Sequence, residues 1–152
     1  MYSPQLVVEL ARLLAMEIDA VRAYANAVAL LGPGPVRDEL VVIGREHEAH
    51  VSAIRDQIAF RGYLPPEHSA SCEGIVLGGG PVTAPPGPKE AVAAVRRNEQ
   101  LAASLCAKIL AKDPPDGARE LLKRLRAEAG RHLGWAERML ARRPWDASGA
   151  SP

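Results

Sequence analysis

Apolar residues recur at alternating steps of three and four along four stretches of the chain, the spacing of one face of an α-helix. The first line is Leu6, Leu10, Leu13, Glu17, Ala20, Tyr24, Ala27 and Leu31; the second is Val36, Leu40, Ile43, His47, His50, Ile54 and Ile58. The third reads Val92, Val95, Glu99, Ala102, Cys106 and Ile109, and the fourth Leu122, Leu125, Ala129, His132, Ala136 and Met139. The pattern predicts helices over about residues 4–31, 35–61, 88–112 and 117–142. The punctuation agrees. Ser3-Pro4, Pro35 and Pro88 stand where helices begin, Gly62 fits the position just past a helix end, and Pro144 closes the last one.

Very short links, Gly32-Pro33-Gly34 and Asp113-Pro114-Pro115, join the first helix to the second and the third to the fourth. Links of that length make antiparallel neighbours. Residues 63–87 have no helical period and are rich in proline and glycine, with a Gly78-Gly79-Gly80 run. At roughly 3.3 Å per residue this segment can run the full length of a helix of about 40 Å. The expected architecture is all-α: a four-helix bundle in one domain over 1–152, two antiparallel pairs joined by a long crossover at 63–87.

Each apolar line is interrupted near its midpoint by ionisable residues: Glu17, then His47 with His50, then Glu99, then His132. Helices of similar length packed side by side bring those midpoints to one level. Burying imidazoles and carboxylates is costly unless something pairs with them. A metal ion is such a partner, and neutral imidazole and carboxylate are ordinary ligands for iron, zinc or manganese. A lone histidine on an apolar stripe is more often a satisfied core residue, so the inference rests on five groups at matched depth.

On these residues the chain resembles the ferritin-like superfamily, and in local pattern its rubrerythrin-type members. The first helix of that family carries Glu-x-x-Ala-x-x-x-Tyr, which Glu17, Ala20 and Tyr24 fit; its third carries a glutamate, which Glu99 matches. Its second and fourth helices each carry Glu-x-x-His, and His50 and His132 stand at the two histidine positions. The glutamates of those two motifs are replaced here by His47 and Ala129. In the family they bridge a pair of metals, so the resemblance implies a degenerate ligand set. Glu17 and Glu99 alone neutralise one divalent ion, and a buried excess of charge is expensive. The expectation is therefore one ion held by Glu17, His47, His50, Glu99 and His132.

A two-ion centre has to recruit Glu46, Glu48 or Glu128. Glu46 and Glu128 each precede a site histidine by four residues, a spacing that suits rim ligands or acceptors for an imidazole N–H. If the metal is iron, the resemblance implies iron handling or oxygen and peroxide chemistry, that is, an iron-dependent oxidoreductase with a small oxidant as co-substrate. Tyr24 then stands beside the site as a hydrogen-bond or redox partner. The alternative is a metal-free bundle in which the glutamates simply bond to the histidines and the protein serves as a structural or interaction module.

Composition narrows the field further. A formal charge of +1 gives no electrostatic reason to expect nucleic acid or an anionic membrane as partner. Glu9, Arg12, Glu17, Asp19 and Arg22 break the N-terminal apolar run, so neither a membrane span nor a signal peptide is expected there; a cytoplasmic protein is the expectation, and a homodimer the expected assembly. Cys72 and Cys106 do not form a disulfide framework, and Cys72 with His68 offers too few ligands for a second metal site. His47-Glu48-Ala49-His50 is one residue short of the metalloprotease His-Glu-x-x-His, and Gly78-Gly79-Gly80 lacks the strand and the Gly-Lys-Ser/Thr of a phosphate loop.

Overall fold

A computed structural model describes residues 4–67 and 87–149. Four long helices, α1 (Pro4–Leu30), α2 (Pro35–Phe60), α3 (Pro88–Leu110) and α4 (Asp116–Arg142), are followed by one short helix, α5 (Pro144–Gly149). Most of the predicted crossover lies outside the described residues, as do His68, Cys72 and the Gly78–Gly80 run.

The helix ends follow from local chemistry. Pro35 and Pro88 occupy first-turn positions, where the missing N–H costs nothing. Gly62, at φ 84°, donates its N–H to Ala59 O at 2.9 Å and closes α2, a backbone conformation that side chains rarely adopt. At the end of α4 the left-handed residue is Arg143, whose N–H bonds Met139 O at 2.8 Å. Pro144 ends α4 and also opens α5, which the periodicity did not predict because six residues are too few to show a period.

The apolar lines pack inward as two large clusters, with a small third one of Met16, Ala102 and Ala129. In one, Leu6, Leu10 and Leu13 of α1 meet Ile54 and Ile58 of α2, Cys106 and Ile109 of α3, and Leu122 and Leu125 of α4. In the other, Ala20 and Tyr24 meet Leu40 and Ile43, Val92 and Val95, and Ala136. The start of α1 packs on the end of α2 and the end of α1 on its start, so the pair is antiparallel; α3 and α4 follow the same rule. Between these two apolar plugs lies a layer of polar residues near the middle of all four helices. At 27 residues, α1 is about 40 Å long, so that layer sits far from either end of the bundle.

Two acidic residues outside the α1 line are buried as well, Glu9 and Asp19. Glu9 pairs with Lys112, a surface ion pair at the end of the bundle. Among the described residues, no helix is long and apolar enough to cross a membrane.

Candidate metal centre

The polar layer contains all five ionisable residues that interrupt the apolar lines. Glu17, His47, His50, Glu99 and His132 are each no more than 3% exposed. His47 is the hub. Its Nδ1 side contacts Glu17 Oε2 and its Nε2 lies 2.7 Å from Glu99 Oε1. Its ring centroid is 5.2 Å from that of His50 and 5.5 Å from that of His132. Both neighbours of the His47 ring are carboxylates, which only accept when ionised. The ring therefore donates on both sides and carries a positive charge between two negative ones.

The outer histidines are arranged with an approximate two-fold relation. His50 Nδ1 lies 3.3 Å from Glu17 Oε2, and its Nε2 contacts Glu128 of α4. His132 Nδ1 lies 3.3 Å from Glu99 Oε1, and its Nε2 is 2.7 Å from Glu46 Oε2 of α2. So each glutamate that precedes a histidine by four residues serves the histidine of the other half, not its own. The position related to His47 by this symmetry is Ala129, whose methyl group leaves the centre of the layer to a single ring.

Glu46 and Glu128 form the rim, with side chains 23% and 28% exposed where the histidines are almost sealed. Arg131 clamps Glu46 with two hydrogen bonds of 3.2 and 2.8 Å, a contact that sequence reasoning missed because Arg131 lies on an exposed face. Asn98, also missed, donates to Tyr24 Oη at 3.4 Å, and Tyr24 Oη donates to Glu99 Oε1 at 3.3 Å. Asn98 is itself buried, although it lies off the apolar line of its helix. Glu48, the third candidate substitute ligand, lies away from the two triads. One residue past His47 it is turned about a quarter of the way round the helix, is exposed, and lines a surface depression with Ile18, Val21, Val51 and Arg55.

The electrostatics follow from this packing. Burial alone disfavours the charged form of Glu17, yet His47 and His50 overcome it and bring its carboxyl down to about 2. Burial likewise opposes a charged His47, but Glu17 and Glu99 raise the ring to about 10. His50 is shifted upward by Glu17 and Glu128 against its own desolvation. Glu99 is held below the usual carboxylate range by His132 and His47, and Glu46 by Arg131 and His132, in each case against burial. Burial and the nearby Glu99 push the Tyr24 phenol well above its ordinary value. Burial takes the Cys106 thiol up to about 12, so it is an inert core residue.

Two triads have their ligand atoms within 4.8 Å of one another: Glu17 with His47 and His50, and His47 with Glu99 and His132. Nitrogen and carboxylate oxygen of this kind suit a divalent transition metal. One half of the layer also has unspent capacity: among the described residues Glu99 Oε2 is buried without a hydrogen-bond partner, and His132 Nδ1 has only the 3.3 Å contact with Glu99 Oε1. An orphaned buried polar atom costs about 1–3 kcal/mol. A cation held by Glu99 and His132 would remove that cost, so the donor set fits a metal.

The bundle is of the ferritin-like type. It is similar in fold to a dodecameric thioferritin, the bacterioferritin-related protein from Bacteroides fragilis. The two share a TM-score of 0.82 and 16% identity over 97% of this chain and 91% of that one. It is also similar to a conserved hypothetical protein from Mycobacterium tuberculosis, with a TM-score of 0.73 and 19% identity over 95% of this chain and 91% of that one. No protein-family model and no curated protein sequence matches the chain. At these identities the likeness establishes the fold alone.

Proposed function

We propose that this protein binds a divalent transition metal, iron foremost, at the mid-bundle layer, and that it handles iron or couples it to reduction of oxygen or peroxide. Glu17, His47, His50, Glu99 and His132 are the ligands in this reading, with Glu46 and Glu128 at the rim. One observation carries it: among the described residues Glu99 Oε2 lies buried without a hydrogen-bond partner, in a triad with His47 and His132. The ferritin-like fold, shared with a protein described as a thioferritin, supports iron over zinc or manganese.

When bound, iron supplies Lewis acidity and one-electron redox chemistry. The protein's own groups set the conditions. The two apolar clusters exclude water from above and below, which strengthens every charge interaction in the layer. Glu46 and Glu128, which reach solvent, would gather the incoming cation, and the protons that the imidazoles lose on binding it would leave to water. Arg131 fixes Glu46, while Tyr24 and Asn98 fix Glu99. Oxidase chemistry, a homodimer and a cytoplasmic setting belong to the same proposal.

A second reading has its own support. The bonds of His47 to both carboxylates let the layer neutralise itself, as a metal-free structural bundle requires. Loading with Fe(II) under nitrogen, followed by oxygen or peroxide consumption, separates the two. The metal reading expects iron retained through desalting by the wild type and lost from the double variant His50→Ala with Glu99→Ala, which stays helical. Equal iron in both proteins would overturn the proposed site.

A further inference from the structure

The layer holds two metal-competent triads, and they share one residue. His47 belongs to both, but with different atoms: Nδ1 faces Glu17 and the His50 side, while Nε2 faces Glu99 and the His132 side. The two nitrogens of an imidazole ring direct their lone pairs outward on diverging lines. One ring therefore cannot give both to a single ion. With the ring standing between Glu17 and Glu99, five ligands around one central ion would require His47 to leave its place.

We infer that His47 is a bridging ligand: two ions bind, one in each triad, and the His47 ring links them through its two nitrogens. This rests on the metal-binding reading above and goes beyond it in number and in the identity of the bridge. Each ion takes the place of one N–H proton of His47, and both protons leave to bulk water. The first ion is held by Glu17, His50 and His47 Nδ1, the second by Glu99, His132 and His47 Nε2.

The charge count that argued for a single ion changes with the structure. Only Glu17 and Glu99 lie on the apolar lines, but Glu46 and Glu128 cross over to reach His132 and His50. Four carboxylates now face the layer; with the doubly deprotonated His47 ring as a fifth negative charge and Arg131 on Glu46 as a compensating positive one, they offset two divalent ions, where two carboxylates offset only one. The approximate two-fold relation supports the same count. Each half supplies one carboxylate, one histidine and one rim glutamate from the opposite half, and only the central ring is shared. Ala129, at the position related to His47, offers no ligand atom, so the one central ring is the group both triads share.

The test loads the chelator-treated full chain with Cu(II), whose unpaired spin reports a bridge directly. Two coppers per chain are expected, with most of the low-temperature paramagnetic resonance signal lost through exchange across the shared ring. In His47→Ala the copper that still binds should show its full signal; if that variant fails to fold, His47→Gln, which keeps a donor for the carboxylates, takes its place. Two coppers with full signal in the wild type would overturn the bridge. So would one copper per chain, and so would a signal equally lost in the folded variant, while each leaves metal binding itself intact. No copper bound at all, with no Fe(II) bound either, would overturn both readings.

Discussion

Removing the His47 ring from the metal-free protein is a severe test of the electrostatics. Glu17 and Glu99 are buried at 2% and 0% exposure, and each has His47 as a close cationic neighbour. In His47→Ala, Glu17 keeps only His50 at 3.3 Å, and Glu99 keeps His132 and Tyr24, each at 3.3 Å. Taking one partner from a buried ion pair costs about 3–5 kcal/mol. The surviving contacts place this variant toward the lower end, so a loss of about 3 kcal/mol at pH 7 is expected. The stranded carboxylates escape part of the cost by taking up protons, at 1.36 kcal/mol per unit of pKa. The loss should therefore shrink between pH 6 and pH 5, where the wild type barely changes. Urea unfolding followed by far-ultraviolet circular dichroism, with chelator present, measures it. A loss below about 1 kcal/mol, the worth of a surface pair, or a loss that does not shrink with acid, would refute the reasoning.

Other outcomes follow from the same contacts. Glu17 is held near 2 in the fold against 4.5 ordinarily, so its stabilisation is present above about 4.5 and is lost as pH falls through 2. His47 is held near 10 against 6.5, so its share is present below 6.5 and is lost as pH rises through 10. The urea midpoint of metal-free protein should peak between those limits and fall on both sides; a midpoint unchanged up to pH 10 would count against a charged His47. Leu122→Ala, at a fully buried position in the cluster remote from the α5 end, should cost about 2–5 kcal/mol in urea unfolding while metal uptake per folded chain stays the same. Gly62→Ala, at φ 84°, should lower the melting temperature. Gly44→Ala, inside α2 with open space where a Cβ would go, should raise it, by about 0.5–1 kcal/mol of stability.

The bundle was legible in the chain because each helix writes its buried face at steps of three and four. Leu10, Leu13, Leu40, Ile43, Val92, Val95 and Leu122, taken from the four lines, are all fully buried. The same lines brought Glu17, His47, His50, Glu99 and His132 to one layer, since an interrupted face still faces inward. What a line does not encode is the partner across the bundle. Glu46 and Glu128 lie beside their own histidines in sequence, yet side chains at the rim reach whichever imidazole nitrogen points outward, and that belongs to the opposite half. The clamp of Arg131 on Glu46 was hidden for the same reason. The central place of His47 was hidden too, because it depends on the small Ala129 in another helix. Glu9 and Asp19 stand off the apolar line of α1 yet are buried, which the period of that line does not encode.

Elemental analysis of protein purified without chelator or affinity metal tests the central claim most directly. The account predicts iron, or zinc or manganese in its place, bound in whole-number proportion to the chain, rising to two ions on saturation and absent from the His50→Ala with Glu99→Ala variant. A metal content near zero, with no uptake when Fe(II) or Zn(II) is added, would contradict it and leave a bundle whose buried charges serve only one another.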